Sequence, residues 1–154
     1  MVKRLFIVLA ALLAVPVSLL DVGTEPGQRV ASAWLVREAV VDVSYTHSVE
    51  CTRVQETYRA DRSGISLKEM VWQSSGAGLP DSYDSWENGY YTSETRVPVG
   101  KLLSCWFLPL NDPEVRLNNR LVLRGWERPA FLRLRVRTLP LGIQVLLLIV
   151  DRCG

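Results

Sequence analysis

The stretch from residue 39 to residue 75 constrains the fold most. Residues 39 to 47 alternate, with Ala39, Val41, Val43, Tyr45 and His47 on one face and Asp42, Ser44 and Thr46 on the other. Residues 53 to 61 alternate again, with Val54, Glu56, Tyr58 and Ala60 on one face and Arg53, Gln55, Thr57, Arg59 and Asp61 on the other. Period two over eight or nine residues is the signature of a half-buried strand. Ser63-Gly64 is a tight turn, and Ile65 to Ser75 reads as a third strand. The links between these strands are too short for crossovers, so they predict an antiparallel meander. The chain has 154 residues, 48% hydrophobic and 22% charged. That suits one domain with a real core and excludes both disorder and a polytopic membrane protein.

Turn signals continue along the chain. They include Thr24-Glu25-Pro26-Gly27 and Gly76-Ala77-Gly78-Leu79-Pro80, and later Asn111-Asp112-Pro113 and Asn118-Asn119. Asn88-Gly89 between Trp86-Glu87 and Tyr90-Tyr91 is a hairpin signal that sets Glu87 opposite Tyr90 and Trp86 opposite Tyr91. Those rings read as a cross-strand pair or as a stacking platform for a ligand. Leu132, Leu134 and Val136 alternate with Arg133, Arg135 and Arg137, giving a strand with one apolar and one cationic face. Ile143 to Val150 is a last apolar run, too short to span a bilayer, and reads as a buried strand or, second, a short helix. The expected fold is all-β, an antiparallel sandwich or barrel-like single domain behind an N-terminal apolar helix.

Lys3-Arg4 precede Leu5 to Leu20, 16 residues without a charge. Residues 1–20 therefore read as an export signal or membrane anchor, with 21–154 an extracytoplasmic domain held at the membrane through the N-terminal helix. Asp21-Val22-Gly23 is a poor cleavage site, and Ala31-Ser32-Ala33 comes late. Pro16 is awkward within a helix and reads also as the start of a first strand over 17–22. In an oxidising compartment Cys51 and Cys105 could pair and leave Cys153 in the tail, or all three remain small apolar residues.

The formal charge of +2 is too mild to argue for nucleic acid. It is unevenly placed, with ten acidic and four basic residues over 38–94 and seven arginines against two glutamates over 114–137. A single histidine and no Cys-x-x-C pair exclude a zinc ribbon, and no nucleotide-binding glycine loop or nucleophile elbow occurs. No cofactor and no catalysis are expected. Ser48 follows His47, but neighbouring strand residues point to opposite faces and make no nucleophile–base pair.

His47 and Glu56 fall on the apolar faces of adjacent strands, and Glu69 shares the pattern of Ile65, Leu67 and Val71 on the third. If His47 stands opposite Val54, Tyr45 faces Glu56, which is then diagonal to His47. Polar groups at core-facing positions need partners. They either pin the register of the meander or bind a ligand. The candidate ligand-binding residues are His47, Ser48, Glu50, Glu56 and Glu69, with Gly76 and Gly78 of the glycine loop.

The strings Tyr45-Thr46-His47-Ser48-Val49-Glu50, Val54-Gln55-Glu56-Thr57-Tyr58 and Gly76-Ala77-Gly78-Leu79-Pro80 resemble a small bacterial and archaeal family, a domain of unknown function. Its members are often encoded beside TAXI-type TRAP transporters, which use an extracytoplasmic solute-binding protein. Members tend to carry a proline soon after the His-Ser-Val-Glu string, where this chain has Cys51-Thr52-Arg53. The resemblance implies an accessory or binding module working with TRAP transporter components. An independent small-ligand or cation binder, or a structural module without ligand, are the alternatives.

Overall fold

A computed structural model describes residues 2–25, 28–76 and 78–153. Its strands form two antiparallel sheets packed face to face. The element order begins with helix α1 (Val2–Ala14), then strands β1 (Pro16–Glu25), β2 (Gln28–Trp34), β3 (Ala39–Thr46), β4 (Arg53–Ala60) and β5 (Ile65–Trp72). Strands β6 (Ser85–Glu87), β7 (Tyr90–Gly100) and β8 (Leu102–Phe107) follow. After a 3-10 turn at Pro109–Asn111 come β9 (Glu114–Leu117), β10 (Arg120–Leu123), β11 (Ala130–Pro140) and helix α2 (Leu141–Cys153). One sheet has the order β2-β1-β11-β8, the other β10-β9-β3-β4-β5-β7-β6.

The predicted meander is β3-β4-β5, paired antiparallel throughout. Asn88 and Gly89 both have positive φ, and they set Glu87 against Tyr90 and Trp86 against Tyr91. Two central residues in that conformation match the right-handed twist of the flanking strands. Asn118 and Asn119 repeat the device between β9 and β10.

The core lies between the sheets. Leu20 and Val22 of β1 and Leu132, Leu134 and Val136 of β11 pack against Val41, Val43, Tyr58, Val115 and Leu117. Arg133, Arg135 and Arg137 take the outer face of β11, as the alternation predicts. There Arg137 forms an ion pair with Asp21, its Nε 2.6 Å from a carboxylate oxygen.

The chain ends decide between readings. The apolar run over 1–20 is divided where Pro16 offered the start of a strand: α1 stops at Ala14 and β1 starts at Pro16. The proline removes a helix donor and clashes with the preceding turn, so Leu19 and Leu20 enter the β domain, both fully buried. The run at 143–150, read first as a buried strand, belongs to α2. Strand β11 already pairs with β1 on one side and β8 on the other. A following strand would find no free ladder there, whereas a helix satisfies its own backbone.

Candidate functional site

Strand β3 ends at Thr46, and the link to β4 closes with His47 N–H donating to the Thr52 carbonyl and Cys51 N–H to that of His47. Cys51 closes the link with a positive φ of 55°. Tyr45 therefore faces Val54, and Val43 faces Glu56. The register differs by two residues from the one the alternation suggested. Because side chains alternate with period two, a shift of two leaves Tyr45, His47, Glu56 and Tyr58 on the same face.

That face opens into a cavity of about 320 Å³ between the sheets. Tyr45, His47, Ser48 and Glu56 line one side, and Cys105, Trp106, Phe107, Leu108 and Asn111 the other. Glu56 is held by two phenols: Tyr45 Oη donates to Oε1 at 3.1 Å and Tyr58 Oη to Oε2 at 2.6 Å. Burial first, and the Glu56 charge second, raise both tyrosine pKa values well above their ordinary 10.0. The phenols thus stay protonated as donors, and each carboxylate oxygen keeps a lone pair for another partner.

Glu50 N–H donates to His47 Nδ1 at 3.3 Å. A neutral ring with Nδ1 accepting carries its proton on Nε2, as a donor. On that side stands Gly78, where an added methyl carbon would lie 4.0 Å from Nε2. The Glu50 side chain lies over Gly76, filling the space a side chain there would need. Thr52 and Ser74 hydroxyls, 2.8 Å apart, tie the two loops together. His47, Ser48, Glu50, Glu56, Gly76 and Gly78 are thus gathered at one end of the sandwich.

Glu69 is not among them. Where Thr57 pairs with Glu69, Tyr58 pairs with Leu67, so Lys68 is an extra residue in β5. This bulge reverses the alternation beyond it. Met70 and Trp72 turn inward, packing with Val54 and Leu79, and Glu69 goes to the outer face opposite Thr57. Uninterrupted alternation from Ile65 had suggested the reverse.

The opposite wall was not read from sequence. Asn111 looked only like part of a chain break. Its Nδ2 donates to the Thr46 carbonyl at 2.8 Å while Oδ1 accepts from Leu108 N–H at 2.8 Å, so it fastens the end of β8 to the end of β3. The tyrosine clamp left a signal, since Tyr45 and Tyr58 share the apolar face of Glu56.

No disulfide joins Cys51 and Cys105; both are free thiols. Burial, and then the Glu56 charge, push the Cys105 thiol up to about 11, leaving it protonated and poorly nucleophilic at neutral pH. At pH 7 a maleimide should modify the exposed Cys51 well before Cys105, read peptide by peptide by mass spectrometry. Equal rates would contradict a closed, protonated Cys105. Among the described residues, no three His, Cys, Asp or Glu side chains gather where they could hold a metal ion.

No curated protein and no solved structure matches the chain. One family does, over residues 41–129, which takes in the meander, the glycine loop, the β6–β7 hairpin and β8 to β10. The stretch holds every residue that lines the cavity, and on that match the chain belongs to the DUF1850 family, a domain of unknown function.

Proposed function

We propose that the chain is an extracytoplasmic binding module whose cavity takes a small solute, working beside a TAXI-type TRAP transporter. The observation that carries the binding reading is Glu56. A carboxylate at a core-facing position is costly unless it is partnered. Here two phenols hold it, yet it lines a cavity instead of closing into the core. Its open lone pairs suit a protonated amine or another donor, the His47 Nε2–H suits an acceptor, and Phe107 and Trp106 suit an apolar body. His47 Nδ1 is taken by Glu50 and the neighbouring thiol is protonated, which favours binding over turnover. The transport reading rests on the resemblance of the strings around His47 and Gly78, and export rests on the charge-free run after Lys3-Arg4.

Calorimetric titration of the full chain with a panel of small amines and amino acids tests the binding reading. Glu56→Gln should weaken any ligand found by about 10-fold or more, the weight of a hydrogen bond to a charged group. Unchanged affinity would remove Glu56 from the site. The transport reading requires a cross-link between the protein and the transporter, and reduced uptake in a deletion strain. Normal uptake with no cross-link would leave an independent binder.

A further inference from the structure

Because β1 and β11 are antiparallel neighbours with Pro16 opposite Pro140, the helices before one and after the other leave the same end of the sheet. They touch: Leu141 N–H donates to the Val15 carbonyl at 2.9 Å, and a methyl group on Gly142 would lie 3.3 Å from Leu13 Cβ. Apart from Lys3, the described exposed side chains of the pair are apolar. Exposed side chains include Phe6, Ile7, Leu9 and Leu12 on α1 and Leu146 and Ile149 on α2. Stepped at 100° per residue, those on α1 ring the helix; those on α2, with Ile143 and Val145, share one broad face, and Gln144 opposite is buried with its Nε2 donating to the Val17 carbonyl. A groove in a protein partner would cover one face only; a helix apolar all round, as α1 is, belongs in a core or in lipid.

The base of the pair carries the residues that favour a membrane interface. Trp34 lies opposite Leu19 at the near end of β2, with exposed Val36 and Arg37 just beyond it. On the other side Val136 N–H donates to the Lys101 carbonyl, and Leu102 pairs with Arg135. Lys101, Leu102 and Arg135 are all exposed. Of the acidic groups at this end, Glu38 pairs with Arg59 at 3.0 Å and Asp21 with Arg137, while Asp61 is an exposed carboxylate hydrogen-bonded in its turn to Ser63 and Gly64. Against that carboxylate stand Arg37, Lys101 and Arg135, so the balance of charge facing outward is basic, beside tryptophan and aliphatic side chains.

We propose that α1 and α2 enter a bilayer together as one two-helix anchor, seated by this girdle on anionic headgroups. The proposal extends the reading of α1 as the membrane-facing segment and is independent of the cavity. Among the described residues no helix is long and apolar enough to cross a membrane. At about 20 Å each, the helices are shorter than a hydrocarbon core of about 30 Å. Lys3, at the far end of α1, has a side chain long enough to snorkel. The arrangement also sets the cavity apart from the lipid. Ala39 begins β3 at the girdle end and His47 follows its last residue, a distance of about 25 Å along the strand.

The test is flotation of the full chain with vesicles of phosphatidylcholine, with and without phosphatidylglycerol. The parent should float, and Leu146→Asp/Ile149→Asp, both exposed positions, should partition at least 10-fold less while keeping the melting transition of the β domain and its solute binding. Lys101→Glu/Arg135→Glu should lose about 10-fold on the anionic vesicles and little on the neutral ones. If the α2 variant floats like the parent while Phe6→Asp/Ile7→Asp does not, α1 anchors alone and the proposal fails. A parent that stays in solution as a discrete dimer would mean that a second copy covers the helices, which overturns it too. An anionic preference that survives charge reversal removes the girdle.

Discussion

Replacing Leu20 by alanine should destabilise the protein by about 2–5 kcal/mol, the range for emptying a buried leucine site. For a chain of this length that lowers the melting temperature by roughly 5–15 °C. The expectation separates two accounts of one residue. As the last residue of a removable leader, Leu20 would contribute nothing to the folded domain. As part of β1 it is fully buried, in the cluster with Val136 and Val43. Thermal unfolding in detergent, followed by circular dichroism, decides between them. A shift within about 1 °C would show that β1 does not belong to the domain. By the same argument, removal of residues 1–33 should abolish cooperative unfolding. That cut, at the late Ala31-Ser32-Ala33 site, takes away β1 and nearly all of β2, half the strands of the four-stranded sheet.

Tyr58→Phe should cost about 1.5–3 kcal/mol, because it removes a donor from a carboxylate that keeps only the Tyr45 phenol. Tyr58 is 5% exposed, and water cannot readily replace its hydroxyl. Tyr45→Phe leaves the shorter bond in place and should cost less. Alkaline pH supplies a second readout. The folded-state pKa values of both phenols are raised, so the stability they contribute is complete below the ordinary tyrosine value of 10.0 and is lost as pH rises beyond it. Cys105 obeys the same sign in a lower window, between its ordinary 9.0 and about 11. The parent should therefore lose stability first between pH 9 and pH 11, then more steeply above. Cys105→Ala should flatten the first part and Tyr58→Phe the second. A melting temperature constant from pH 8 to pH 11 would contradict the buried environment of Cys105.

Both predictions rest on the face of the meander that points into the sandwich, and that face was legible in the residues. Strands β3 and β4 alternate without a break, so the joint placement of Tyr45, His47, Glu56 and Tyr58 survived an error of two in the register. A one-residue error would have scattered them. Glu69 shows where the method runs out. Nothing in Leu67-Lys68-Glu69 announces an extra residue, and the bulge shows only in the pairing of β5, whose register shifts against both β4 and β7. Asn111 is a second example. Its role is to join the ends of two strands that lie in different sheets, and no local pattern encodes that distance.

The sequence by itself determined the class of the fold, its meander, the hairpin at Asn88-Gly89, the turn at Asn118-Asn119 and the cationic face of β11. Each follows from alternation or from turn chemistry within about ten residues. The tertiary structure decided the rest, because each remaining feature depends on what a segment meets across the chain. Leu19 and Leu20 are core residues because β11 lies beside them. Residues 141–153 are helical because β11 has no free edge to offer. The far wall of the cavity comes from β8 and the turn after it, about 60 residues beyond His47, brought there by the packing of one apolar sheet face on another.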